Sequence, residues 1–393
     1  MASALKAAIW TGILGATGAL AGALWAACQA TSAMYRHRYD IVPLAISDNE
    51  IEFQATRHTL APGQFGLQLL AGGPPAVIGP VISTREGTVR RCLVHRPAGL
   101  SLESRGRWSG IVSVDPLSVA ADVVETFVET TLGPAPAWVI DRGTCRWAIH
   151  VHGQGSTRVQ TLRGVETASR MGLSSLVISY RNDGEGPRSR DSRSHLGESE
   201  WRDLEAALRF VAECGGTECV VFGWSLGATM ALNAVQRSPS AEIIKGIVMV
   251  SPVLVWEDVM RANARHQRCP QVLGSLVARL LALKEFSRLV GLDGPLDVRG
   301  PDRTRFQDAL SVPVLILHNR NDWSVPFEIS ARFAQAHKDR TELVEFDCSG
   351  HTQEWNSDPV GWDLAVRRWY QHWFPPSQAG EKRRQTANEI EWG

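Results

Sequence analysis

From about residue 123 onward the chain alternates short apolar runs with longer stretches of helical period. The runs are Trp147–Val151, Ser175–Ser179, Cys219–Phe222, Ile247–Ser251, Val312–His318 and Leu343–Phe346. Strand-length runs separated by helical segments predict a mainly parallel sheet with helices on both faces. The stretch from Glu198 to Cys214 shows the helical period: Trp201, Leu204, Leu208 and Val211 form one stripe, with Arg202, Asp203, Glu205 and Arg209 lying elsewhere. A hairpin over Val124–Asp141, turning at Leu132-Gly133-Pro134, opens the domain, which is expected to span 122–375.

The crossover between Trp256 and Ser311 takes 56 residues, where about a dozen suffice for a simple connection. This is an insertion placed to form a cap. Val272, Leu273, Leu276, Val277, Leu280, Leu281 and Leu289 recur in it at near-helical spacing, as in helices that cover a sheet or wall an acyl pocket. Residues 40–121 read differently. Ile51–Thr56, Phe65–Leu70, Ala76–Ser83, Val89–His95 and Gly110–Val114 are strand-like and separated by Gly and Pro turns, which predicts a small β-rich lobe.

Residues 1–39 carry no charge from Ala7 to Tyr35. Since roughly 20 apolar residues cross a bilayer as a helix, a single membrane span is expected, with a cleaved signal peptide and secretion as the alternative. Gly18 and Gly22 have the spacing of a weak helix-dimer motif. Lys6 before the span against Arg36 and Arg38 after it leans slightly toward a cytoplasmic catalytic domain. The segment from Ser377 to Gly393 reads as a flexible polar tail, within a tail expected over 376–393.

With 41 Lys plus Arg against 41 Asp plus Glu, nothing electrostatic points to a nucleic-acid partner. The charges from Arg181 to Arg193 are mixed in sign and read as a solvated loop after a strand. Seven cysteines form neither a metal-ligand pattern nor a disulfide framework. No metal or cofactor is expected, although His150 and His152 share a strand face by their two-residue spacing.

The chemistry concentrates at Gly223-Trp224-Ser225-Leu226-Gly227, between a strand-like run and a helical one. A strand turning into a helix this tightly leaves no room for side chains beside the serine, which makes Gly223 and Gly227 elbow glycines and Ser225 a candidate nucleophile. A serine hydroxyl needs a base and an oriented imidazole. Asp322 follows the run Val312–His318 and His351 follows Leu343–Phe346, in the order nucleophile, acid, base. Taken alone, Asp322 could cap the helix beginning near Pro326, and Glu257 or Asp258 could supply the acid from another strand end. The loop His152-Gly153-Gln154-Gly155, with Gly153 as its loop glycine, offers the amide of Gln154, and the elbow offers that of Leu226, as oxyanion donors.

From about Val123 to Phe374 the chain resembles α/β-hydrolases of the serine aminopeptidase-like and lysophospholipase-like group. The opening hairpin, His152-Gly153, Ser179-Tyr180-Arg181-Asn182-Asp183, the elbow and the Asp322 and His351 turns carry the resemblance. One departure is Asn319, where many relatives have glycine. The resemblance implies a serine hydrolase acting on esters, thioesters or amides. A small-molecule or lipid carboxylic ester is the expected substrate; peptidase, thioesterase and acyltransferase activity, or a catalytically silent membrane scaffold, are the alternatives.

Overall fold

The computed structural model describes residues 20–35, 37–298, 310–348 and 350–375. Two sheets organise them. The first is built from β1 (Ala45–Ile46), β2 (Glu50–Gln54), β3 (Phe65–Leu69), β4 (Ala76–Arg85), β5 (Thr88–His95) and β6 (Gly106–Ser109), in the order β1-β2-β5-β4-β3-β6 with antiparallel pairing. Its core is Ile51, Phe53, Phe65, Leu67, Ile78, Val89, Leu93 and Trp108. The guanidinium of Arg91 is buried among them and donates to the carbonyls of Thr59, Ala61, Gly63 and Gly79. Four neutral acceptors satisfy this cation without a carboxylate, and burial lowers its pKa to about 10. The last strand is not Gly110–Val114, as the apolar content suggests, but Gly106–Ser109, whose Trp108 packs on Phe53 and Phe65. An aromatic anchor outweighs the β-branched run that follows it.

The second sheet has the order β14-β13-β12-β11-β9-β10-β8-β7. Its strands are β7 (Val124–Thr130), β8 (Gly133–Ile140), β9 (Arg146–Val151), β10 (Ser174–Ile178), β11 (Glu218–Trp224), β12 (Ile244–Val250), β13 (Val314–Asn319) and β14 (Thr341–Phe346). The expected hairpin is β7–β8, and β9 to β14 run parallel. Helices α2 (Leu162–Arg170), α3 (Trp201–Glu213), α4 (Leu226–Arg237), α8 (Phe327–Ala336), α9 (Glu354–Ser357) and α10 (Pro359–Trp373) belong to this body, and α5 (Trp256–His266), α6 (Gln271–Leu281) and α7 (Lys284–Val290) to the insertion. Two apolar clusters flank the sheet: one joins it to α3 and α4, the other to Trp362, Val366 and Trp369 of α10. On α3 the predicted stripe is buried, and so is Asp203, because its carboxylate pairs with Arg181 at 2.6 Å.

The N-terminal expectation of a membrane span is not supported by the described part of the segment. Residues 1–19 of the expected span lie outside the described residues, as does the tail from 376. Among the described residues no helix is long and apolar enough to cross a membrane. Residues 20–30 form a helix, α1, whose Ala23 and Ala27 are fully buried against Val277, Ala278, Leu281 and Phe286 of α6 and α7. Small side chains let two helices approach closely, so what reads as a lipid-facing stretch is here a protein-packing one. In the insertion, Val277 and Leu281 are buried, whereas Val272 and Leu289 are exposed.

Candidate active site

Ser225 lies between the end of β11 and the start of α4 with φ 54° and ψ −108°, a strained combination for a side-chain-bearing residue. Its amide donates to Val250 O at 2.9 Å, tying the turn to β12. A Cβ on Gly227 would lie 2.2 Å from Val151 O, and one on Gly223 2.6 Å from the Ala228 nitrogen. Neither position admits a side chain, which is the physical content of the glycine spacing.

Three strand ends converge here. The Ser225 hydroxyl donates to His351 Nε2 at 2.8 Å, and His351 Nδ1 donates to Asp322 Oδ2 at 2.6 Å. Asp322 sits in the turn after β13, where its Oδ1 accepts from the amides of Ser324 and Val325. That leaves Oδ2 for the imidazole. Of the alternative acids, Glu257 and Asp258 both lie in the first turn of α5, and Asp258 pairs with Arg332 and Arg261.

The electrostatics follow from burial and partners. Burial opposes the charged form of His351, but the charge and hydrogen bond of Asp322, with Glu354 nearby, outweigh it and raise its pKa above the ordinary 6.5. Burial likewise opposes ionisation of Asp322, and His351 and His318 reverse the balance, holding the carboxyl far below the usual carboxylate range. A base must be neutral to accept the serine proton. Activity is therefore expected to rise with pH through an acid limb above 6.5, measurable as kcat/KM against pH on a neutral ester. A limb below that value contradicts the Asp322–His351 pairing.

Of the three consecutive amides in the loop after β9, two are tied. Gly153 donates to Gln160 Oε1 at 2.8 Å, and Gly155 donates to Ala33 O at 3.1 Å. Between them the Gln154 amide meets no protein acceptor among the described residues, and neither does that of Leu226 in the first turn of α4. The loop lies against the elbow, since a Cβ on Gly153 would be 3.1 Å from Ser225 Cβ. Free N–H groups at a helix start and in a clamped loop can hold a developing oxyanion.

Several participants were not legible as site residues. The segment 30–35 straps the loop after β9: Gln154 Nε2 donates to the carbonyls of Ala30 and Ser32 at 2.8 and 2.7 Å, and the Tyr35 ring covers Gly155. His152 places Nδ1 2.9 Å from Gly153 O and Nε2 2.9 Å from Asp183 Oδ2. It thus serves as a fixed brace under the loop. His150 faces Ser175 at 3.2 Å, stacks on Phe222, and burial lowers its pKa to about 3. Among the described residues no group of three His, Cys, Asp or Glu is placed to hold a metal. Behind Asp322 lie His318, with Nε2 3.4 Å from Oδ2, and Glu354, whose Oε1 accepts from Ser251 and the Asn319 amide. The sequence departure at Asn319 acquires a role: its side-chain oxygen accepts from the amides of Asn321 and Cys348, joining the acid and base turns.

The α/β hydrolase family model matches residues 148–374, and that of a domain of unknown function (DUF8805) matches residues 43–109. No curated protein matches the chain. Among solved structures, the esterase Pf2001 of Pyrococcus furiosus in its P212121 form superposes with a TM-score of 0.52 at 21% identity, over 66% of this chain and 94% of that one. Its C2221 form gives 0.51 at 20%, over 66% and 93%. An esterase of Exiguobacterium antarcticum gives 0.45 at 14%, over 63% and 100%. At 20–21% identity the likeness to Pf2001 is one of fold. The family model covers more than half of the chain, including the elbow and the turns that bear Asp322 and His351: this protein belongs to the α/β hydrolase family.

Proposed function

We propose that the chain is a serine hydrolase of carboxylic esters working through an acyl-enzyme. The observation that carries this reading is the unbroken hydrogen-bonded line from Ser225 through His351 to Asp322 beside two unpartnered amides. Ser225 Oγ attacks the ester carbonyl carbon as its proton passes to His351 Nε2, and the carbonyl oxygen becomes an oxyanion held by the Gln154 and Leu226 amides. Collapse of this intermediate breaks the bond to the alcohol, which leaves with the proton from His351. Water then attacks the acyl-serine with the same imidazole as base, releasing the acid and restoring Ser225. Asp322 keeps the imidazole in the tautomer that presents a bare Nε2 and stabilises the imidazolium formed in each half.

Esters are favoured over amides because an alkoxide leaves far more readily than an amide anion, so an ester depends less on proton donation by His351 to the leaving group. The fold is shared with Pf2001, described as an esterase. A series of p-nitrophenyl esters of increasing acyl length, beside matched anilides and thioesters, tests the reading. Esters are expected to turn over at least about tenfold faster than anilides, with labelling of the active protein by a fluorophosphonate. Faster anilide turnover would assign a peptidase instead.

A further inference from the structure

The lobe spanning β1 to β6 meets the hydrolase body at the loop that follows His351. Asn356 of α9 is fully buried there, and its side-chain NH2 donates to Gln64 O at 2.8 Å and Gly110 O at 2.9 Å, both from the lobe and its exit. The Gln64 amide returns the contact to Asn356 O at 2.9 Å. The Asn356 side-chain oxygen is held by Arg163 of α2, whose same terminal nitrogen also reaches Thr352 O at 3.0 Å. Thr352 directly follows His351. A chain of hydrogen bonds therefore runs from lobe carbonyls through Asn356 and Arg163 to the residue beside the imidazole. The guanidinium of Arg163 is fixed further by stacking over Trp224, next to Ser225. On the other flank, Arg57 of the lobe donates to Asn321 O at 3.1 Å, next to Asp322.

We infer that the lobe is a brace for the catalytic loops, and that Asn356 is the positioning residue through which it sets His351 against Asp322. The inference rests on the serine-hydrolase reading of the site. Its physical basis is that loops are otherwise the least constrained part of a fold, whereas a proton transfer tolerates displacements of well under 1 Å. Two part-buried carbonyls, of Gln64 and Gly110, converge on the single side-chain amide of the buried Asn356. In the lobe itself, β3 begins at the next residue, Phe65, so the contact is anchored in the sheet and not in a free turn.

Asn356→Asp keeps an oxygen for Arg163 and turns the second oxygen, now without hydrogens, on the two lobe carbonyls. The full-length variant is expected to lose tenfold or more in kcat on a p-nitrophenyl ester with KM within threefold, and its acid limb moves to lower pH as the Asp322 contact loosens. Arg57→Ala, at an exposed position, is expected to cost about threefold in kcat by the same route. A folded Asn356→Asp protein with unchanged kcat and unchanged acid limb, even with a lowered melting temperature, overturns the inference. Should that variant not fold, an unaltered kcat in Arg57→Ala overturns it. Failure of the wild type to react with a fluorophosphonate at Ser225 would reject the hydrolase reading instead, so the two failures are separable.

Discussion

Ser225→Ala is expected to lower kcat on carboxylic esters by at least about 10⁴-fold while leaving KM within a few-fold. The substitution removes one oxygen and nothing else from the path of the reaction. Neither substrate binding nor the Gln154 and Leu226 amides depend on that oxygen, so a small rate above that of water is expected to persist. The fold is expected to hold, because among the described residues the Ser225 side chain has a single hydrogen-bond partner, His351 Nε2, and the backbone turn is secured by the hydrogen bond from the Ser225 amide to Val250 O. Measuring steady-state ester hydrolysis together with fluorophosphonate labelling and thermal melting checks all three statements. A correctly melting Ser225→Ala protein that retains more than a tenth of wild-type activity would mean that another group attacks the carbonyl.

Much of this site could be read from the chain because its chemistry is local to strand ends. Ser225, Asp322 and His351 each stand within a few residues of a parallel strand's carboxyl end, and parallel strands deliver those ends to one edge of the sheet. Spacing therefore sufficed to nominate them. What escaped reading depends on pairs far apart in the chain. Gln64 and Asn356 are 292 residues apart, Gln154 and Ala30 124, and no local pattern signals either contact. Asp203 was read as part of the polar flank of a helix, yet it is buried because Arg181, 22 residues earlier, supplies its counter-charge. The alanine-rich N-terminal stretch poses the same problem in another form. Small apolar side chains suit a lipid-spanning helix and a tightly packed one equally, and only the neighbours of Ala23 and Ala27 on α6 and α7 tell the second case from the first. His318 and Glu354 belong to ordinary strand and helix positions in the sequence, and become part of the site only when β13 and α9 are brought together around Asp322.

Asp322→Asn carries the second large effect, and here the argument turns on which atom holds a hydrogen. In the native turn, Oδ1 accepts from the amides of Ser324 and Val325, at 2.8 and 3.0 Å. An asparagine keeps its oxygen on those two donors and so presents its NH2 to His351 Nδ1. That nitrogen must then accept, which places the imidazole hydrogen on Nε2, facing Ser225. A ring that donates toward the serine hydroxyl cannot take its proton. The expected loss in kcat is about 10³ to 10⁴-fold, equivalent to roughly 4–5 kcal/mol of transition-state stabilisation, with KM little changed. The acid limb is expected to fall as well: without the carboxylate, burial is left as the main influence on His351, and burial lowers a histidine's pKa. Measured against pH, the variant should show both a lower plateau and a limb displaced toward acid. A loss of less than about tenfold would assign the orienting carboxylate elsewhere, and Glu354, buried at the start of α9 three residues after His351 with its Oε2 unpartnered among the described residues, would be the residue to substitute next.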